Sequence, residues 1–378
     1  MVAIKFVDPQ RAPGSVRRPM LFSDWEGPWV IADHAFELAQ HSIRQGAGLY
    51  STLSNYVLGN LEAGRGNFQP GDTLALIAPF LIANGAGESD LHQIAISGAN
   101  FLDGAGKAVK YLKRHEIALR IISTSYSQYV NYTAGLIGIP GMHTISTRFP
   151  IGELRGAVRE ADMESVRHAA KSILELRRAG PDFSGNRQVN AGSMAAFLDR
   201  FFDELAHNSF STVMQTVRPM GGERKLDALR EVLEADGMGI DNAVVVGDSV
   251  TDGSMLRAAS VEGGLSISFN GNVHAVQNSL VAVMSQSCII IPVLVQIFGR
   301  KGMEGVEKVA SNWNLRTLGK ETGEGFLDRE LLLELKRLDG SGRFPIAQWI
   351  TGSNRDDITA RSAEFRKTVR GVNVGAID

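Results

Sequence analysis

Four short apolar runs, each ending in a polar, acidic or turn-forming residue and each followed by a turn or helix signal, set the architecture of this chain. They are Pro19–Ser23, Ala118–Ser123, Ala243–Gly247 and Leu265–Phe269. Strands buried on both faces read as unbroken apolar runs, and parallel strands deliver side chains to a crevice at their carboxyl ends. Amphipathic helical patterns precede two of the runs, Gly106–His115 before Ala118 and Lys225–Ala235 before Ala243. This alternation predicts an α/β fold built on a doubly wound, Rossmann-like parallel sheet.

The interval between the first and second runs is too long for one crossover helix. Its patterns at Phe36, Leu38, Ala39 and Ile43, and at Leu74, Leu76, Ile77, Phe80 and Leu81, predict several helices, read as a cap spanning 31–104. A second helical insertion is expected over 150–217, with one stripe through Val166, Ala169, Ala170, Ile173 and Leu174 and another through Phe197, Leu198, Phe201, Phe202 and Leu205. Pro181–Gly185 between them reads as a loop. The core is then 17–30, 105–149 and 218–290, and the more polar remainder, 291–378, is expected to be a helical extension with a charged helix over Asp328–Leu338.

Composition excludes rather than identifies. At 378 residues the chain exceeds one compact core, and its 44% hydrophobic and 21% charged residues are those of an ordinary globular protein. Lys plus Arg (39) nearly balances Asp plus Glu (41), so no global field favours nucleic acid or an anionic membrane. The apolar stretch Ser279–Phe298 is interrupted by Ser285, Gln286, Ser287, Pro292 and Gln296 and reads as a strand, Leu280–Met284, followed by a buried helix, not a membrane span. The single cysteine, Cys288, in an apolar run, and an N-terminus too short in apolar residues for a secretory signal fit a cytoplasmic protein.

The chemistry concentrates at the strand ends. Asp24 and Glu26 lie two residues apart where the first run meets Gly27-Pro28. One such acid can attack phosphorus while the other protonates the leaving oxygen and then activates water. Val244-Val245-Val246-Gly247-Asp248 leads to Asp252, and hard oxygen ligands in that setting suit Mg²⁺. Ser123 and Thr124 supply hydroxyls that can hold phosphate oxygens, and Lys225 opens an amphipathic helix with a fixed positive charge.

The ordered set Asp24-x-Glu26-Gly27, Ser123, Lys225 and Gly247-Asp248-x-x-x-Asp252 resembles the four motifs of the haloacid dehalogenase superfamily, over about 19–272. The segment Gly263–Asn272 is similar to the strand and turn after the metal motif in its phosphoserine-phosphatase-like branch. Asp-Trp-Glu-Gly-Pro and Ser-Thr-Ser-Tyr carry a narrower likeness to predicted archaeal-type phosphatases found alongside energy-converting hydrogenase genes. The resemblance implies Asp24 as covalent nucleophile, Glu26 as general acid and base, Ser123 (or Thr124) and Lys225 as phosphate partners, and Mg²⁺ held by Asp24, the Glu26 carbonyl, Asp248 and Asp252. It implies a phosphohydrolase acting on a small phosphorylated metabolite.

Glu26 stands where phosphatases of the superfamily usually carry Asp, and the added methylene moves the carboxyl by about a bond length, a scale to which catalytic geometry is sensitive. Phosphotransfer to another acceptor, or a non-catalytic accessory or binding role, follows as the alternative expectation. The glycine-rich Gly104-Ala105-Gly106-Lys107 lacks a full phosphate-loop pattern and reads as a helix entry. Trp29 and His34, just beyond the nucleophile turn, are candidate substrate contacts; Tyr126, Tyr129 and Tyr132 read as packing.

Overall fold

The computed structural model describes residues 18–65, 68–179, 191–320 and 327–371. Strand β1 (Met20–Ser23) leads to helices α1 (His34–Ser42), α2 (Gly46–Glu62), α3 (Thr73–Ala83) and α4 (Glu88–Ser97). The chain returns through α5 (Ala105–Arg114), β2 (Leu119–Tyr126), α6 (Ser127–Leu136) and β3 (Thr144–Thr147). A second helical stretch follows, α7 (Ile151–Ala157), α8 (Glu160–Ala179), α9 (Ala191–Ala206) and α10 (Ser211–Thr216). Then come α11 (Glu223–Ala235), β4 (Ala243–Gly247), α12 (Gly253–Val261), β5 (Leu265–Phe269), α13 (Val273–Gln277) and β6 (Val281–Met284). The last part holds α14 (Ile290–Ala310), α15 (Leu315–Lys320), α16 (Arg329–Gly340), β7 (Ile346–Trp349) and α17 (Arg355–Arg370).

The strands form one seven-stranded sheet in the order β3-β2-β1-β4-β5-β6-β7. All pairings are parallel except β6 with β7. The predicted α/β class therefore holds, with an antiparallel edge strand added. Because the chain leaves β1 to one side for β2 and comes back to its other side for β4, the carboxyl ends of β1 and β4 flank a topological switch point, where such sheets open a crevice. β4 is buried along its whole length, as an Ala-Val-Val-Val-Gly run between two covered faces requires.

One face of the sheet packs Leu21, Ile121, Val244 and Val246 against α5, α14 and α16, through Val109, Leu294 and Leu335 among others. The other packs Phe22, Ile122 and Val245 against α11 and α12, through Leu229 and Leu256. The two helical stretches share a third cluster, in which Leu53, Ile77 and Phe80 meet Val166, Ile173 and Leu198. The second insertion thus packs with the first.

Three expectations need correction or restriction. The 291–378 stretch is not a purely helical extension: β7 completes the sheet against β6, and Ile290–Gly299 of α14 is wholly buried. Its polar composition conceals this because its buried residues outside Ile290–Gly299 and β7 are single positions spaced along otherwise polar helices. β2 runs past Ser123 to Tyr126, through a register shift that leaves Thr124 and Ser125 between ladder partners. Pro181–Gly185 lies outside the described residues. No described helix is long and apolar enough to cross a membrane, and Ser279–Phe298 divides into β6 and the start of α14.

Candidate active site

Asp24 follows β1 directly, and its N–H donates to Val246 O on β4 at 2.9 Å, which ties the first acid to the neighbouring strand. Its Oδ1 accepts from the Trp25 N–H at 2.7 Å. The bulk of Trp25 points away from the site: its indole N–H donates to Thr133 Oγ1 at 2.9 Å, and its ring stacks on Trp29. Gly27 donates to Val30 O at 2.8 Å, closing a tight turn after the second acid. This position demands glycine, since its φ is +93° and a Cβ there would lie 2.1 Å from Asp248 Oδ2.

Lys225, in the first turn of α11 and fully buried, bridges two acids. Its Nζ donates to Asp252 Oδ1 at 2.7 Å and lies 3.1 Å from Asp24 Oδ1. Asp252 Oδ2 accepts from the N–H groups of Asp248 (2.9 Å) and Ser249 (3.1 Å), so it fixes the loop that carries Asp248. One carboxylate oxygen from each of Asp24, Asp248 and Asp252 lies within 4.8 Å of the other two. Hard, buried oxygen donors at the end of a strand suit Mg²⁺, so the residues present fit the ion that the sequence motifs imply. Electrostatics point the same way. Burial first, then Asp252, pushes the Asp24 carboxyl up to about 8 against the pull of Lys225, the mark of a site short of positive charge.

Glu26 is half-buried, and its Oε1 accepts from the His34 N–H at 2.9 Å. Burial and then Asp33 hold its carboxyl well above the ordinary value, opposed by Ser125, the His34 N–H and Arg370. Both causes favour the protonated form of this carboxyl over the ionised one. Ser123 is buried, with its Oγ accepting from the Ser125 N–H at 3.3 Å. Thr124 uses its hydroxyl to donate to Met220 O at 2.9 Å, which joins β2 to the α11 entry.

A cavity of about 70 Å³ opens over these groups. Asp24, Glu26, Ser123, Thr124 and Asp248 line it, while Lys225 and Asp252 sit beneath. Its far wall comes from α1, α2 and the Pro70–Leu74 turn. At that turn Gly71 has φ +93°, and a Cβ would meet the Thr124 methyl at 2.7 Å. An ion pair of 2.9 Å between Asp72 and Arg224 holds the turn to the core.

Two residues unforeseen from the sequence reach this site from the last helix. Arg366 and Arg370 of α17 both donate to Asp248 Oδ2, Arg370 at 2.9 Å, and Arg370 also donates to Ile31 O at 3.2 Å. Arg370 lines the cavity. The available signal was the four-residue spacing of Ile358, Ser362, Arg366 and Arg370, which puts both arginines on the buried stripe of the helix. Asp33 was also missed; it caps α1 by accepting from the Phe36 N–H at 2.9 Å.

Trp29 and His34 do not line the cavity. Trp29 is buried with its indole N–H on Ser23 Oγ at 2.8 Å, and the His34 ring stacks on Tyr129 at 4.3 Å. The tyrosines pack, as expected. Cys288 is buried, with its thiol on Pro28 O at 3.3 Å. Gly104, at φ +74°, enters α5, and Lys107 pairs with Glu334 at the surface.

Comparison with protein-family profiles and with curated proteins finds no match. Among solved structures, a gene product of Archaeoglobus fulgidus is similar over 95% of this chain and 98% of its own, at 26% identity and a TM-score of 0.74. A substrate-bound phosphoserine phosphatase aligns with 73% of this chain and 97% of its own, at 12% identity and a TM-score of 0.44. An apo phosphoserine phosphatase gives 12% identity and 0.45 over 73% and 98%.

Proposed function

We propose that this chain is a Mg²⁺-dependent phosphohydrolase of the haloacid dehalogenase type, acting on a small phosphorylated metabolite through an aspartyl-phosphate at Asp24. The observation that carries the reading is the convergence of Asp24, Asp248, Asp252 and Lys225 at the switch point, with a second carboxyl, Glu26, raised by burial and lining the same cavity.

Mg²⁺ bound by Asp24, Asp248, Asp252 and the Glu26 carbonyl supplies charge neutralisation between carboxylate and phosphate. The protein's own groups do the rest. An Asp24 oxygen bonds to phosphorus as the phosphorus–oxygen bond to the alcohol breaks, and Glu26 gives its proton to the departing oxygen. Glu26, now a carboxylate, takes a proton from water; the water oxygen bonds to phosphorus, and the bond to Asp24 breaks to release phosphate. Ser123 and the strand-end N–H groups hold phosphate oxygens, while Lys225 steadies Asp24 for attack.

The test is a panel of phosphate monoesters with Mg²⁺, run on the wild type and on Asp24→Asn. Hydrolysis that the variant loses supports the reading. Transfer only to added alcohols would make the chain a phosphotransferase. No turnover across the panel, with Mg²⁺ still bound, would make it a binding protein that keeps the site.

A further inference from the structure

The cavity divides sharply by chemistry. Its charged lining residues are Asp24, Glu26 and Asp33 between β1 and α1, Asp248 after β4, and Arg370 at the end of α17. Arg370 is already engaged by Asp248 and by the carbonyls of Ile31 and Ala32. The remaining lining from α1, α2 and α3 is Ala35, Val57, Leu58, Leu61, Leu74 and the Tyr50 ring, relieved by the hydroxyls of Tyr50, Ser54 and Thr73. Among the described residues no charged side chain of α2 or α3 enters the lining.

In-line displacement sends the leaving oxygen to the side of phosphorus opposite Asp24, so the organic part of the ester meets this wall. An ammonium or carboxylate placed there would lose water and gain no partner, which is costly at a buried site. An uncharged carbon chain would instead cover apolar surface, with a hydroxyl or two accommodated by Ser54 and Thr73.

Resting on the phosphohydrolase reading, we infer that the substrate is the phosphate monoester of a small, uncharged and largely apolar alcohol, and that α2, chiefly through Val57, Leu58 and Leu61, excludes amino-acid and other charged phosphoesters.

Binding to Asp24→Asn with Mg²⁺, measured by calorimetry, tests this without requiring turnover. The probes are n-butyl phosphate, O-phosphoserine and inorganic phosphate. Butyl phosphate is expected to bind at least about tenfold more tightly than phosphoserine, since a desolvated, unpartnered charge discriminates strongly. Leu58→Asp should bring the butyl-to-inorganic phosphate ratio close to one. Leu58→Lys, the converse variant, should improve phosphoserine binding relative to butyl phosphate. Phosphoserine binding as tightly as butyl phosphate, indifference of the ratios in both folded variants, or no binding of any probe would overturn the inference. The two readings fail separately: wild-type enzyme that hydrolyses phosphoserine as fast as butyl phosphate sinks this one and leaves the hydrolase. A preference for butyl phosphate in binding, with no ester hydrolysed by the wild type, does the reverse.

Discussion

Glu26 shows how a single residue adapts the site. Its side chain is anchored at the start of α1, where Oε1 accepts from the His34 N–H at 2.9 Å. Glu26→Gln is expected to lower kcat by about 10²- to 10⁴-fold, the usual contribution of a general acid and base, with a smaller change in KM. Because burial and Asp33 hold this carboxyl above its ordinary value, the protonated form falls away as pH rises through that raised value. Alkyl esters, which need the proton, should then slow with rising pH, while aryl esters, which leave without it, should slow less in pre-steady-state measurement of the first step. His34 gives a second test. It is buried with neither ring nitrogen hydrogen-bonded, and burial lowers it to about 3, the nearby Leu91 backbone opposing. The native state holds this ring neutral while the unfolded chain takes up a proton below about 6.5, so stability should fall as pH drops from about 6.5 towards 3. Wild type and His34→Phe, compared by denaturant melts at pH 7 and pH 5, should differ in that slope, the variant losing less on acidification.

Among the elements, α17 was the least legible in advance. A helix carrying Arg at 355, 361, 366 and 370 reads as solvated, and the decisive fact, that Asp248 lies beneath its buried stripe, belongs to tertiary structure. Ser362 Oγ donates to Gly271 O at 2.7 Å, docking the same stripe on the loop after β5. Arg366 is almost wholly buried against Asp248, and removing it takes one of two cations from a buried carboxylate that Arg370 still pairs. Arg366→Met is therefore expected to cost about 1.5–3 kcal/mol in denaturant unfolding, the loss of a charged hydrogen bond, whereas Arg361→Met, on an exposed pair with Asp357, should cost under about 1 kcal/mol. Equal small losses would show that α17 does not hold the metal loop. The apolar strands were legible because burial on both faces leaves room for few polar side chains, none of them charged in β1, β4 and β5. β3 (Thr-Ile-Ser-Thr) and β7 (Ile-Ala-Gln-Trp) were not, because sheet edges tolerate mixed composition. The extension of β2 to Tyr126 escaped for a related reason: Thr124 and Ser125 fall between ladder partners, where they line the cavity.

Over the whole molecule, the sheet and the helical cap have separate apolar cores, and the polar site occupies the seam between them. The carboxyl groups of Asp24, Glu26, Asp33, Asp248 and Asp252 outnumber the cations Lys225, Arg366 and Arg370 there, and a bound divalent ion would offset the negative charge they carry once ionised. The raised Asp24 carboxyl sets the sign of the pH effect. Below about 8 the metal-free site holds a proton there that the ion must displace, so Mg²⁺ affinity should rise with pH from about 5 to 8. Calorimetry in buffers of different ionisation enthalpy should register proton release in the wild type and markedly less in Asp24→Asn. Thermal melts should show stabilisation by Mg²⁺ that Asp248→Asn weakens. The order of the four motifs along the chain was enough to assemble most of this site in advance, since each lies at the end of an apolar strand or the start of a helix; the contacts made by α17 and the apolar wall were not. The central claim is covalent attack by Asp24, and acid quenching during hydrolysis of butyl phosphate, followed by peptide mass spectrometry, tests it most directly. A hydroxylamine-labile phosphoryl group on Asp24, absent from Asp24→Asn, is the predicted result; product accumulating in the variant at the wild-type rate, or a phosphoryl group on another residue, would contradict it.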